Sequence, residues 1–390
     1  MSGTANSQAD LTMDYDPLKE IKAFDDTKAG VKGLVDAGIV EIPKIFIRPP
    51  HELAEELKQA KSTLQVPVID LSGIEIQDRR KKIVDEIREA SEKWGFFQLI
   101  NHGVPPSVLE GMIDGIRDFH EQDAEVKKEY YSCDIGRNVR YHSNPHINQT
   151  KTAKWRDTLN ISTLASGHIE PEEIPAICRK TSLEYINHVM KLGEIILGLL
   201  SEALGLKPDH LKATECDKGQ VFVCHYYPAC PQPELTLGVA KHTDPAFLAF
   251  LLQDQIGGLQ VMHNNQWVNV EPIEHGLVVN IADFLQILSN DKFVSADHRV
   301  VANKIGPRIS VASFFTGVFE PPKMYGPIKE LISEENPPLY KEFLVSDYIM
   351  KFSSKPPDKS GLDLFRLVSP SSSEHLYSPS ENTIIICTGQ

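Results

Sequence analysis

Long hydrophobic runs are absent from this chain. No apolar stretch approaches the ~18–20 residues that a membrane-spanning helix needs, and the run TIIIC near the C-terminus is far too short. The N-terminal segment MSGTANSQADLTMDYDPLKE is polar and acidic, so it lacks the apolar centre of a secretory signal. We therefore expect a cytoplasmic protein that does not associate with membranes.

Positive charge and cysteine are also scarce. The 40 Lys and Arg residues are outnumbered by 54 Asp and Glu residues, which gives a net charge of −14 and argues against nucleic acid as a partner. The six cysteines are scattered, and Cys224 and Cys230 lack CxxC spacing. Without a secretory signal they do not indicate disulfides. We expect Cys224 and Cys230 to be buried thiols, and we expect the chain to be a monomer.

The length and the hydrophobic content are those of a folded protein. At 390 residues and 41% hydrophobic content the chain can bury a full core in one large domain or two. The Ser/Pro-rich end, VSPSSSEHLYSPSENTIIICTGQ, is typical of a disordered segment. We divide the chain into a lead-in and linker (1–66), an N-terminal domain (67–180), a domain with a long helix and the later strands (181–367) and a disordered tail (368–390).

Helical periodicity dominates the first half. Short strands are expected in 67–75 and 96–105, and helices in 78–95 and 106–130. A further helix is predicted to begin at Thr181, which has capping-box spacing to Glu184, and to end before Gly205. Its apolar face, which we interpret as core packing, comprises Ile186, Val189, Met190, Gly193, Ile196, Leu197 and Leu200.

After residue 217 the period changes from 3.6 to 2. About six short strand patterns follow, broken by Gly, Asn, Asp and Pro, and MHNNQW contains a hairpin-type turn. So many strands within about a hundred residues indicate a closed or double-layered antiparallel unit of the jelly-roll kind. The expected fold class is α+β, a double-stranded β-helix core buttressed by helices.

The segment AKHTDPAFLAFLLQD holds a histidine and an aspartate, His242 and Asp244, ahead of an apolar strand pattern. Of the later histidines, His263 lies in a turn and His275 at a loop end, whereas His298 lies where a strand begins again. A strand could carry His298 back beside the first pair. Two imidazoles and one carboxylate suit non-haem Fe(II) and leave coordination positions open, although catalytic zinc uses the same ligand types.

Arg308 and Ser310, in GPRISVAS, point to the same face of a strand because they are two residues apart. An arginine in an apolar strand is unfavourable without an anion. Its guanidinium and the serine hydroxyl could together hold one carboxylate.

These motifs resemble the Fe(II)/2-oxoglutarate-dependent dioxygenase superfamily. HTD at 242–244, His298 and RIS at 308–310 match its signature, and HYYPACP (225–231) and WGFFQLINHGVP (94–105) are similar to segments of its plant branch. The lead-in and WRDTL (155–159) resemble the subgroup of aminocyclopropanecarboxylate oxidase homologues and deacetoxyvindoline 4-hydroxylase-like enzymes. The similarity extends from about residue 67 to 367.

The resemblance implies an oxidoreductase that uses Fe(II), 2-oxoglutarate and O2, with ascorbate as reductant, and releases succinate and CO2. It assigns iron binding to His242, Asp244 and His298. It assigns the distal carboxylate of 2-oxoglutarate to Tyr227, Arg308 and Ser310. Thr158 and Phe314 fall where the family faces its organic substrate, and no other catalytic residue is implied.

Two residues depart from the family motif, and two alternative functions stay open. His225 replaces the usual Asn of its motif, with a packing or supporting role preferred, and Ala229 replaces a proline. One alternative is an ascorbate-dependent oxidase of the aminocyclopropanecarboxylate oxidase type, and the other is an inactive binding module of the same fold. The subgroup suggests a small hydrophobic specialised metabolite as substrate, with hydroxylation as the default outcome.

Overall fold

A computed structural model describes residues 16–57, 62–134, 136–144, 152–164, 167–355 and 359–367. The predicted disordered tail, 368–390, lies outside these residues. Helices in the described part are α1 Pro17–Thr27, α2 Gly30–Asp36, α3 Pro50–Leu57, α4 Gln77–Lys93, α5 Pro106–Glu121, α6 Ala124–Lys128, α7 Ala176–Ala203, α8 His210–Ala213, α9 Asp283–Leu288 and α10 Val345–Ser354. None of them is both long and apolar enough to cross a membrane.

The strands form two main sheets and one small ribbon. They are β1 Val68–Asp70, β2 Phe96–Ile100, β3 Val139–His142, β4 Asp157–Ser162, β5 Gln220–Tyr227, β6 Leu237–His242, β7 Leu248–Gln253, β8 Leu259–His263, β9 Gln266–Asn269, β10 Leu277–Ile281, β11 His298–Val301, β12 Arg308–Phe315, β13 Met324–Tyr325 and β14 Phe343–Leu344. The large sheet has the order β1-β2-β10-β7-β12-β5-β4-β3, and the smaller one β6-β11-β8-β9. Only the β1–β2 pair is parallel among these neighbours.

The two sheets pack face to face, as expected for a jelly roll. A cluster of buried side chains joins Phe96, Tyr227 and Val278 of the large sheet to Val261 and Val300 of the smaller one. A much larger cluster lies on the other face of the large sheet, where helices α4, α5 and α7 cover it. The predicted α+β jelly roll buttressed by helices is therefore confirmed.

Strand alternation divides the central strands into a helix side and an inner side. Along β12, Phe315 faces α7, where Gly193 provides the room: any side chain there would overlap the Phe315 ring. Arg308 and Ser310, an even number of residues away from Phe314, lie on the opposite, inner side. The same alternation places His225 and Tyr227 of β5 inward.

The predicted start of the long helix at Thr181 is wrong. Helix α7 begins at Ala176, after Pro175, and Thr181 lies inside it with its hydroxyl donating to the Cys178 carbonyl. Cys178 is fully buried, and a side chain at Gly115 of α5 would overlap Thr181 and crowd Cys178, so contact between the two helices extends α7 by more than a turn. The end before Gly205, which has φ of +78°, is confirmed.

Other local predictions had mixed outcomes. The segment 106–130 forms two helices, α5 and α6, with an extended residue, Gln122, between them. Asn264 and Asn265 both have positive φ, as the predicted hairpin turn requires. Cys224 and Cys230 are buried free thiols, as expected. The division at 180/181 stays a prediction; α7 runs across it, and the large sheet contains strands from both sides.

The lead-in packs against the barrel through its own small core and one buried acid. Phe24 packs edge-on against Phe46, which packs edge-on against the fully buried Trp155. Asp157 of β4 accepts hydrogen bonds from the backbone N–H groups of Val31 and Lys32, both at 2.8 Å, at the start of α2. The helix N-terminus thus receives the negative charge that it favours.

We expect Asp157→Asn to lower the free energy of unfolding by about 1.5–3 kcal/mol, because an amide cannot accept both N–H groups as a carboxylate does. Urea denaturation measures this change. The matched control is Asp26→Asn, at an exposed acid of α1 whose ion pair with Lys22 is open to solvent. Equal, small losses in both variants would show that Asp157 does not secure the lead-in.

Candidate metal centre and co-substrate pocket

Two histidines meet across one antiparallel strand pair. His242 ends β6, His298 begins β11, and the two are direct partners in the register of these strands. Their ring centroids lie 4.1 Å apart. Residues far apart in the chain are thus brought onto one face by strand pairing, as the sequence predicted for His298.

Asp244 completes the cluster from the loop that follows β6. Its Oδ1 atom lies 3.3 Å from His242 Nε2, and its Oδ2 atom lies 3.4 Å from His298 Nε2. One ligand atom from each of the three residues lies within 4.8 Å of the others. This is the only such group of three or more metal-binding side chains within the described residues.

The imidazole rings are oriented by backbone carbonyl groups. His242 Nδ1 lies 2.8 Å from the Ala240 carbonyl oxygen, and His298 Nδ1 lies 3.1 Å from that of Ala296. With the proton on each Nδ1, each Nε2 atom is left available to bind a metal ion beside Asp244, an arrangement common among metal-binding histidines. Burial and the neighbouring His242 lower the pKa of His298 to about 4, so this ring is neutral at physiological pH.

The Asp244 carboxylate is buried and held in place. Burial alone would raise its pKa, but His298, His242 and the amide of Asn280 together lower it below the usual value. Asn280, on β10, donates to Asp244 Oδ2 at 2.5 Å. The cluster therefore combines an ionised carboxylate with two imidazoles, the donor set suited to non-haem Fe(II).

Arg308 lies inside the barrel, and no carboxylate of the described residues lies within ion-pair distance of it. It is 1% exposed, and its two terminal nitrogens donate to Ser310 Oγ at 3.1 Å and to Gln253 Oε1 at 3.0 Å. Its Nε atom has no hydrogen-bond partner among the described residues. A buried guanidinium whose hydrogen-bond partners among the described residues are all neutral is a candidate site for an anion, because a buried charge without a directly bonded counter-charge is costly.

Tyr227 lies beside this guanidinium. The Arg308 Cζ atom is 4.9 Å from the tyrosine ring centre, and the Tyr227 hydroxyl is buried without a partner in the described part of the chain. Gly238 of β6 lies against the ring, where an added Cβ would approach it to 2.7 Å. The predicted group of Tyr227, Arg308 and Ser310 is therefore brought together, with two unused donors.

The inner faces of β4, β5 and β12 surround this pocket. Thr158 is the strand partner of His225, which in turn pairs with Ser310. Thr158 Oγ1 and His225 Nδ1 are 3.0 Å apart. Burial, followed by the charges of Arg156 and Arg308, lowers the pKa of His225 well below its usual value, so the ring is neutral.

Phe314 lies on the same inner side of β12 and is only partly buried, although β12 is a central strand. His263 and His275 lie elsewhere. His263 was expected to be solvated but stacks on Trp94, with ring centroids 3.7 Å apart, and His275 pairs with Glu110 at 2.8 Å.

Fe(II) and 2-oxoglutarate fit these residues. The three-residue cluster supplies facial ligands, and the unused donors of Arg308 and Tyr227 suit the far carboxylate of a dicarboxylic acid. Three supporting residues were missed from the sequence: Gln253, Asn280 and Asp283. The signal for the last two was present, since they are polar interruptions in the apolar segment LVVNIADFLQIL.

Known proteins share both the sequence and the fold. Residues 218–317 match the 2OG-Fe(II) oxygenase superfamily, and residues 66–185 match the N-terminal region of non-haem dioxygenases in morphine synthesis. Deacetoxyvindoline 4-hydroxylase of Catharanthus roseus is 50% identical over 93% of this chain and 92% of that protein. The 1-aminocyclopropane-1-carboxylate oxidase homolog 1 of Arabidopsis thaliana is 52% identical over 86% of this chain and 92% of that protein.

Solved structures agree. The crystal structure of JOX2 in complex with 2OG, Fe and JA has a TM-score of 0.76 at 30% identity, covering 87% of this chain and 98% of that one. AtDAO1 of Arabidopsis thaliana, a dioxygenase for auxin oxidation bound to 2-oxoglutarate, has a TM-score of 0.60 at 29% identity, with coverages of 70% and 100%. With half of its residues identical to those of a dioxygenase over nine-tenths of its length, the chain belongs to the 2OG-Fe(II) oxygenase superfamily and is a 2-oxoglutarate-dependent dioxygenase that uses Fe(II), 2-oxoglutarate and O2.

Proposed function

We propose that this enzyme hydroxylates, or otherwise oxidises, a small hydrophobic specialised metabolite while it converts 2-oxoglutarate to succinate and CO2. The observation that carries the proposal is the presence of two sites on the facing sheets. One is the His242–Asp244–His298 cluster beside β6 and β11, and the other is the buried Arg308 guanidinium of β12, which has no carboxylate partner among the described residues. The charges of His242 and Arg308 both act on His225, so a metal site and an anion site that face each other suit a metal-bound keto acid.

In this proposal His242, Asp244 and His298 hold iron, and Asn280 keeps the Asp244 carboxylate in position. Three protein ligands leave coordination positions open. Bound Fe(II) supplies the centre at which O2 is activated and the keto acid is oxidatively decarboxylated. Ascorbate as reductant stays a prediction, as do the monomeric state and the cytoplasmic location.

Other residues of the chain bind and orient 2-oxoglutarate. Arg308 and Ser310 offer N–H and O–H donors to the distal carboxylate of 2-oxoglutarate, and Tyr227 adds the hydroxyl that is otherwise unused. Gln253 holds the second terminal nitrogen of Arg308, which keeps the guanidinium plane fixed. Burial strengthens these charge-assisted bonds because water does not compete for the donors.

Thr158 and Phe314 would contact the organic substrate. Both lie on the inner side of the large sheet, and the partial exposure of Phe314 leaves part of its ring available to a ligand. Deacetoxyvindoline 4-hydroxylase is a hydroxylase by name, which supports hydroxylation here. His225 lies between the proposed substrate residues and the proposed 2-oxoglutarate residues, and Thr158 holds its ring in place. We assign His225 a supporting role.

The ascorbate-dependent oxidase is the alternative that shares this fold. We expect substrate-dependent succinate formation when a metabolite panel is screened, with one succinate per product and no product without 2-oxoglutarate. Succinate quantification alongside product mass spectrometry measures the ratio. Full product formation with ascorbate alone would instead support the oxidase.

Asp244→Ala should abolish turnover and weaken Fe(II) binding, because it removes the carboxylate of the proposed ligand set, while the fold remains intact. Fe(II) titration and circular dichroism measure the two effects. His263→Ala and His275→Ala are the controls, and both should remain active since neither side chain lies in the cluster. A folded Asp244→Ala variant that kept most of its activity would refute the ligand assignment.

Arg308→Ala should raise the apparent KM for 2-oxoglutarate by about two to four orders of magnitude, because one partner of a buried ion pair is lost at roughly 3–5 kcal/mol. Arg308→Lys should be less impaired, since a point charge replaces only part of the guanidinium fork. Metal affinity should survive in both variants. Steady-state kinetics with varied 2-oxoglutarate measures KM, and an unchanged KM would contradict the assignment.

A further inference from the structure

A buried carboxylate lies next to the loop that carries His242 and Asp244. The proposed chemistry does not use this carboxylate. Asp283 begins α9 and is fully buried. Its Oδ2 atom accepts hydrogen bonds from Thr243 Oγ1 at 3.1 Å and from Tyr348 Oη at 2.8 Å. Its backbone N–H donates to the Asp244 carbonyl at 3.0 Å. Asp283 therefore contacts the loop both through its side chain and through its backbone.

The hydrogen bond between Asp283 and Thr243 acts on the backbone between two proposed metal ligands. Thr243 is bonded in the chain to His242 on one side and to Asp244 on the other. Fixing its side chain restricts the backbone that carries both proposed ligands. Asp283 itself is not in the group of ligand atoms that lie within 4.8 Å of one another.

The contact through Tyr348 reaches the C-terminal part of the chain. Tyr348 lies on α10, is fully buried and stacks on Phe365, with ring centroids 4.7 Å apart. Gly361 follows the same surface closely: an added Cβ would lie 2.7 Å from Tyr348 Oη and 3.2 Å from Asp283 Oδ2. The C-terminal segment is thus packed onto the carboxylate that supports the loop.

We propose that Asp283 is a positioning residue for the iron site, and that Tyr348 makes helix α10 part of the support of that site. The proposal rests on the proposed function for the identity of the metal ligands. Partners that orient metal ligands typically change metal affinity by 10–100-fold when they are removed. The physical reason is that ligands already held in the binding geometry lose less conformational freedom when the metal binds.

Thr243 offers the sharpest test, because two substitutions separate its hydroxyl from its shape. Thr243→Val keeps the branched shape and loses the hydroxyl, and Thr243→Ser keeps the hydroxyl. The metal-free full-length enzyme is titrated with Mn(II), followed by calorimetry, so that the readout does not depend on turnover. We expect Thr243→Val to bind Mn(II) about tenfold or more weakly and Thr243→Ser to bind it within about twofold of the wild type.

Tyr348→Phe tests the link to the C-terminal helix. It removes one hydroxyl from a buried ring, and its matched control is Tyr185→Phe, at a buried tyrosine of α7 whose hydroxyl lies 3.3 Å from Ser313 Oγ on the helix side of β12. We expect weaker Mn(II) binding in Tyr348→Phe and unchanged binding in Tyr185→Phe. Thermal unfolding of the metal-free proteins measures the purely structural cost of each change.

Wild-type Mn(II) affinity in Thr243→Val and Tyr348→Phe would overturn the proposal, as would equal weakening of Thr243→Val and Thr243→Ser. Loss of thermal stability without loss of metal affinity would also overturn it, since Asp283 would then be a structural residue only. The Asp244→Ala variant distinguishes failure of the ligand assignment from failure of the positioning role. If it leaves Mn(II) binding intact, the ligand assignment fails; if it abolishes binding while Thr243→Val does not, only the positioning role fails.

Discussion

The register between β6 and β11 is the constraint on which the rest of the site depends. His242 and His298 are 56 positions apart in numbering and become neighbours only because they are direct partners in this antiparallel pair. Side chains alternate between the two faces of a strand, so a slip of one residue would turn His298 away from His242. Packing of apolar residues between the sheets, including Val261 and Val300, disfavours that slip because they would leave the core.

Charge balance is the second organising feature of the barrel. Asp244 is a buried carboxylate between two imidazoles, and Arg308 is a buried guanidinium bonded only to neutral groups among the described residues. Each charge is costly in the absence of a partner. A divalent cation beside Asp244 and a dicarboxylate facing Arg308 would compensate both, so binding of the metal and of the co-substrate is coupled to relief of this electrostatic cost.

The hydrogen bonds of the Asp283 carboxylate connect regions that are far apart in the sequence. Thr243 in the metal loop, Asp283 at the start of α9 and Tyr348 in α10 meet through hydrogen bonds of 3.1 Å and 2.8 Å. The lead-in makes an analogous connection, because Asp157 of β4 holds the start of α2 and directly precedes Thr158, a residue that we propose contacts the substrate. Segments outside the jelly roll thus support the strands and loops that carry the site.

The sequence by itself predicted the fold class, the metal-ligand candidates and the pairing of Arg308 with Ser310, whereas Tyr227 was assigned only from the family resemblance. The signals read from the residues are local: strand alternation, turn residues and motif spacing depend on neighbours in the chain. Tertiary structure alone decided the start of α7, where contact with Gly115 of α5 overrides the apparent cap at Thr181. It also decided the roles of Asn280 and Asp283, because a hydrogen bond to a metal-binding loop depends on which segments the folded chain brings together, and no local pattern encodes that distance.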